Sequence, residues 1–171
     1  MRILKLTALC CIMISVAFCR QGYGEEMILT SPAFENNKNI PSRFTCDGEG
    51  KNPPLKIDKI PNDAKSLVLI VDDPDAPMGT FVHWVVYDIP VMSSIEEGSV
   101  PGKQGMNTAR GTAWVSPCPP SGTHRYIFKV YALDGELGLK EGAAKAAVEK
   151  AMEGHILDKA ELTGLYKRQR N

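Results

Sequence analysis

Strands early and in the middle of the chain, with helix only near its end, predict a mainly β or α+β fold in which peripheral C-terminal helices flank a sheet core. Three observations carry that expectation. They are a continuous apolar run at 67–71, longer segments rich in β-branched and aromatic residues at 82–89 and 124–133, and an Ala-rich helical repeat at 141–153. The 171 residues fit one domain with one sizeable core. From Met27 onward no repeat, low-complexity run or charged linker marks a boundary.

The first residues read as an address. Arg2 and Lys5 precede an uncharged apolar run from 6 to 18, the layout of a secretory signal peptide. Gly22 and Gly24 flank Tyr23, which places the expected cleavage after Gly24. The run is shorter than the roughly 20 residues that span a bilayer, so no stable membrane insertion is expected. A lipid anchor would need Cys19 as the new N-terminus, and the bulky Phe18 before it opposes that. Residues 25–171 are therefore expected as an exported domain, periplasmic or secreted. Cys10, Cys11 and Cys19 leave with the signal, and Cys46 and Cys118 remain. They are either bridged, as an oxidising compartment permits, or two buried thiols.

Twenty basic side chains balance twenty acidic ones. Bulk charge therefore draws the chain to neither nucleic acid nor an anionic membrane, and any ligand has to be recognised locally.

The run Leu67-Val68-Leu69-Ile70-Val71 is apolar at every position, as in a strand covered on both faces. Asp72-Asp73-Pro74-Asp75-Ala76-Pro77 follows it directly and reads as a pocket rim at a strand end. In extended geometry Asp73 and Asp75 project to one side. Two carboxylates so close resist ionising together, so one is expected to hold a proton or both to await a cation. The plainer reading is a proline turn with solvated aspartates. His83 sits in the apolar strand segment 82–89, where a histidine bonded to a backbone carbonyl is the commoner explanation.

Residues 91–113 carry Gly98, Gly102, Gly105 and Gly111 among few large apolar side chains and are expected to form either a long functional loop or a disorder-like stretch of the same composition. Ser116-Pro117-Cys118-Pro119-Pro120-Ser121-Gly122-Thr123 then leads into His124. Its prolines leave Cys118 as the lone backbone N–H between 117 and 120. Such a rigid loop cradles an oxyanion or simply packs on the sheet. His124 and Tyr126, two apart, share one face of the next strand. The helix at 141–153 ends where Gly154 suits a left-handed cap, and a second helical piece is expected at 156–162.

Taken in order, these residues resemble the phosphatidylethanolamine-binding protein family, most closely its bacterial and archaeal YbhB/YbcL branch, also labelled Raf kinase inhibitor-like. Phe44-Thr45-Cys46-Asp47-Gly48 with Pro53-Pro54-Leu55 carries the resemblance, as do 73–77, His83-Trp84-Val85-Val86 and 117–126. It continues through the Ala-rich helix to the 155–166 tail. The resemblance implies a β-sandwich-like core and a small pocket for phosphate-like anions or phosphorylethanolamine head groups. The family's pocket residues fall on Asp73, Asp75, His83, Cys118, Pro119, Pro120, His124 and Tyr126. Ser116 departs from the pattern, since the branch usually has Gly there, and a side chain at that position would narrow the pocket or forbid a positive φ.

The expected function is non-enzymatic binding of a small anionic or zwitterionic ligand, without cofactor or metal. The alternative is an inhibitor of a protease or kinase type of enzyme, acting through protein contact. Ser121, His124 and Asp75 are hydrolase residue types, but no G-x-S-x-G elbow is present. H-x-x-x-H and C-x-x-C spacings are absent too.

Overall fold

The apolar run forms the middle of a strand, β4 (Ser66–Asp73), in which every residue is buried. Its two faces meet different partners in the computed structural model, which describes residues 25–169. The expected signal segment lies outside the described residues. Leu67, Leu69 and Val71 join a core that includes Leu29, Ile57 and Ile95, while Val68 and Ile70 pack with Val148 and Met152 on the other side. A strand without a polar face is stable only between two such layers.

The strands Ile28–Thr30 (β1), Leu55–Asp58 (β3) and Ser94–Ile95 (β6) make a three-stranded sheet in the order β1-β3-β6. The larger sheet adds Lys38–Asn39 (β2), Phe81–Ile89 (β5), Lys103–Gln104 (β7), Thr123–Leu133 (β8) and Ile156–Lys167 (β9). Its order is β2-β9-β8-β4-β5-β7. The two sheets enclose the main core and the helix α1 (Lys145–Met152) covers the outer face, so the expected β-rich core with helix at its periphery is what the chain forms.

Three local expectations change. The 156–162 piece is strand, not helix: Ala160, Leu162, Gly164 and Tyr166 are buried at every second position, and β9 pairs antiparallel along β8 from Ile156↔Leu133 to Lys167↔Thr123. Side-chain period two, supplied with a long partner, overrides the mild helix propensity of the segment.

The 91–113 excursion contributes strands to both sheets through β6 and β7. Two of its glycines are there for close approach: a Cβ on Gly102 would lie 2.6 Å from the Tyr87 carbonyl oxygen, and one on Gly105 would lie 2.8 Å from that of Ala143.

The same contact shortens the helix. Met106 N–H donates to the Ala143 carbonyl and Gly142 N–H to that of Gln104, so residues 142–144 pair with the excursion and α1 begins only at Lys145. Val148 and Met152, four apart, are its buried residues, each worth roughly 1.5–3 kcal/mol in buried apolar surface. Gly154 has φ +81°, the left-handed stop the sequence predicts.

Candidate functional site

The ends of β4, β5 and β8 converge beneath the proline loop and the 74–80 turn on a cavity of about 230 Å³. Of the expected residues, Asp73, His83, Cys118, Pro119, Pro120, His124 and Tyr126 line it, and Asp75 does not. Ala76, Pro77, Phe81, Val115 and Ser116 complete the wall. A larger groove of about 770 Å³ adjoins it at Pro120 and runs beside Ile40, Ser121 and Tyr166. The smaller cavity is where the buried ionisable groups gather.

Strand alternation brings Asp73, His124 and Tyr126 to the cavity side, because Asp73 follows Val71 on its face of β4 and His124 and Tyr126 share one face of β8. His83 arrives by another route. The β4–β5 register steps from Val71↔Trp84 to Asp72↔Val82, leaving His83 as an extra residue in β5. That bulge turns His83 to the side of its neighbour Trp84, away from Val85, in the manner by which bulges re-aim single side chains.

The protonation pattern follows from the partners. His83 Nδ1 lies 2.7 Å from the Val115 carbonyl oxygen. Since a carbonyl only accepts, Nδ1 carries the hydrogen and Nε2 is the free nitrogen. Burial pushes the His83 ring below the usual histidine range, against the opposing pull of that carbonyl and of Asp73. His124 Nδ1 donates over 2.7 Å to Asp73 Oδ2, a pair that is buried at both ends. Asp73 Oδ1 accepts the Asp75 N–H at 2.8 Å. Neither Nε2 makes a hydrogen bond among the described residues, and neither is among the polar atoms sealed from solvent.

Tyr126 differs from its expected role. Its hydroxyl oxygen is sealed and has no partner of normal geometry, and the Cys118 N–H that would favour a charge there falls outside that geometry. Burial raises its pKa far above the ordinary phenol value. The cavity therefore meets the ring, which stands edge-on to His83 at 5.1 Å between centroids, and not the hydroxyl.

Asp75 is the clearest correction. β4 stops at Asp73 and residues 74–75 turn, so alternation no longer applies to them. Asp75 instead forms a two-armed pair with Arg125, at 2.9 Å from Nε and 2.7 Å from Nη2, and also accepts the Arg125 backbone N–H. Those bonds from the guanidinium hold its carboxyl down at about 2. The two aspartates share no proton. Arg125 points outward between His124 and Tyr126 in the strand alternation, and that outward position was the one available sign of its part in the rim.

Cys46 and Cys118 are joined in a disulfide with Cα atoms 5.4 Å apart, and the Cys46 N–H also donates to the Pro117 carbonyl. The proline loop is thereby tied to the segment that carries Asp47, which in turn accepts from the Tyr166 hydroxyl and from Arg168. Ser116 leaves the cavity open and does not adopt a positive φ. Trp114, unremarked in the sequence, backs His83 at 6.3 Å and stacks on Phe128.

The phosphatidylethanolamine-binding protein profile matches residues 30–167. The chain belongs to the phosphatidylethanolamine-binding protein family. Within that family, it is 48% identical over 163 residues to a UPF0098 protein of Pyrococcus abyssi, an alignment covering 88% of this chain and 91% of that one. A UPF0098 protein of Chlamydia trachomatis is 46% identical over 149 residues, covering 83% and 99%. The crystal structure of a phosphatidylethanolamine-binding protein homologue from Chlamydia trachomatis superposes with a TM-score of 0.82 at 44% identity, covering 84% of this chain and 99% of its own. Escherichia coli YbcL superposes at 0.77 with 26% identity, covering 85% and 100%. No helix of the described residues is long and apolar enough to cross a membrane.

Proposed function

We propose that this family member is an exported, non-enzymatic binding protein whose cavity holds a phosphate-like anion or a phosphorylethanolamine-type head group. The observation that supports this most is the buried constellation itself. Two histidines with Nδ1 committed present free Nε2 atoms to one cavity, beside an ionisable Asp73. A cavity of about 230 Å³ is the size of a head group rather than of a whole lipid. A zwitterion suits both kinds of group, its ammonium meeting the Asp73 side and its phosphoryl oxygens the side of the histidine rings. The signal-like layout of 1–24 supports export.

The test is calorimetric titration of residues 25–171 with phosphorylethanolamine. A hydrogen bond to a charged group is worth about 1.5–3 kcal/mol, so His83→Ala is expected to weaken binding by roughly 10- to 150-fold while the domain stays folded. Unchanged affinity in that variant removes His83 from the site.

A further inference from the structure

The hydrogen-bonding inventory of the cavity is short of donors. In their neutral forms His83 and His124 each spend the ring N–H outward, on the Val115 carbonyl and on Asp73. What they turn to the cavity is then a lone pair on Nε2. The Tyr126 hydroxyl is sealed away, and Pro117, Pro119 and Pro120 have no N–H to offer. Among the wall's side chains Ser116 Oγ is the neutral donor left, since it makes no hydrogen bond among the described residues, and it stands beside a few loop backbone N–H groups such as that of Cys118. Asp73 adds a negative charge. A dianion entering this site unaccompanied would face lone pairs and a carboxylate in a low-dielectric space, which is strongly unfavourable.

We propose that the cavity is a proton-coupled oxyanion site, taking up one proton at His83 Nε2 with each tetrahedral dianion that it binds. This rests on the proposed anion-binding role and specifies how that role is met. The proton converts the Nε2 lone pair into a charged N–H donor aimed at an anion oxygen, with Nδ1 still held by Val115.

The groups facing His83 are consistent with one proton rather than none. From β4, Asp73 borders the same cavity, and Asp72 acts from the opposite face of the sheet, its charge shared with Lys129 and Lys145. From β8 come His124 and the Tyr126 ring, and from the loop the Val115 carbonyl. Arg125 is spent on Asp75 at the rim. With no anion beside it, burial holds the His83 ring below the usual histidine range. An adjacent anion reverses that balance.

Sulfate is the first probe because it stays a dianion throughout the range, so any pH dependence belongs to the protein. Above pH 7 phosphorylethanolamine is also close to doubly ionised at its phosphoryl group, whose second pKa is about 6. Affinity for both is expected to fall about tenfold per pH unit between pH 7 and 8.5, and the tighter of the two shows whether a free oxyanion or a head group is the better occupant. Calorimetry in buffers of different ionisation enthalpy should count about one proton taken up per site. His83→Gln, which supplies a fixed N–H, should bind sulfate with a flattened pH profile. If that variant does not fold, the proton count on the unaltered protein decides. Saturable binding with pH-independent affinity and no proton uptake overturns the coupling while leaving the anion site standing. Failure of both probes to bind at any pH overturns the anion-binding reading itself.

Discussion

Replacing Cys46 and Cys118 by serine tests the tether of the proline loop. The disulfide joins residues 72 apart in sequence. Closing a loop of that length removes about 15 cal/mol/K of entropy from the unfolded chain, or about 4.4 kcal/mol at 25 °C, in the chain-entropy account. With a urea m-value of about 2 kcal/mol/M for a domain of this size, the double variant should unfold at a midpoint about 2 M lower. The oxidised domain 25–171 has no other cysteine, so a thiol count of zero under denaturing conditions certifies the starting material. Locally the effect should be smaller, because the Cys46 N–H still bonds to the Pro117 carbonyl. The cavity should keep its shape and lose a few-fold in affinity through a looser wall. A fully oxidised protein whose double variant shifts by less than about 0.3 M would refute the reasoning, since the unfolded chain would then gain no freedom from losing the link.

Two further outcomes follow from the packing. Asp75→Asn should cost about 1 kcal/mol at pH 7: lowering the carboxyl from 3.8 to about 2 is worth at most ~2.4 kcal/mol, and the half-exposed Arg125 discounts it through solvent screening. Because the folded value is depressed, this stability is present above about pH 4 and is lost as the pH falls through 2. The two proteins should therefore differ at pH 7 and converge in acid, and an undiminished gap at pH 2 in fluorescence-monitored unfolding would exclude the Arg125 pair as its origin. Gly105→Ala places a Cβ against the Ala143 carbonyl and Val85 and should destabilise by about 1–3 kcal/mol, with hydrogen exchange accelerated first at Met106 and Gly142. Protection unchanged at those amides would mean the excursion is not pinned there.

Much of the framework was legible because it is written in local periodicity. A strand apolar at every position requires two covering layers, and β4 has them. The alternation of Tyr126, Phe128 and Val130 defines one face of β8 without reference to its neighbours, and Val148 and Met152 mark α1 in the same way. The family pattern, spread over the whole domain, names every cavity residue it assigns except Asp75 correctly from sequence alone. Local pattern failed where a partner decides. The 156–162 segment reads as helix alone and becomes strand only because β8 offers it a ladder along its length. The start of α1 moved because Gln104 and Met106 claim the backbone of 142–144.

The cavity shows the same division. Residue types and their order pointed to Asp73, His83 and His124. That His83 faces the cavity depends on a register slip in β5 that no periodicity announces. That Asp75 leaves it depends on Arg125, fifty residues away. Which ring nitrogen is free is set by a carbonyl at Val115 and a carboxylate at Asp73, groups brought against the rings by separate segments of chain. Side-chain period and turn chemistry are properties of neighbours in sequence, so composition and spacing reveal them. Charge pairing, tautomer and burial belong to neighbours in space, and only the packed fold assigns them.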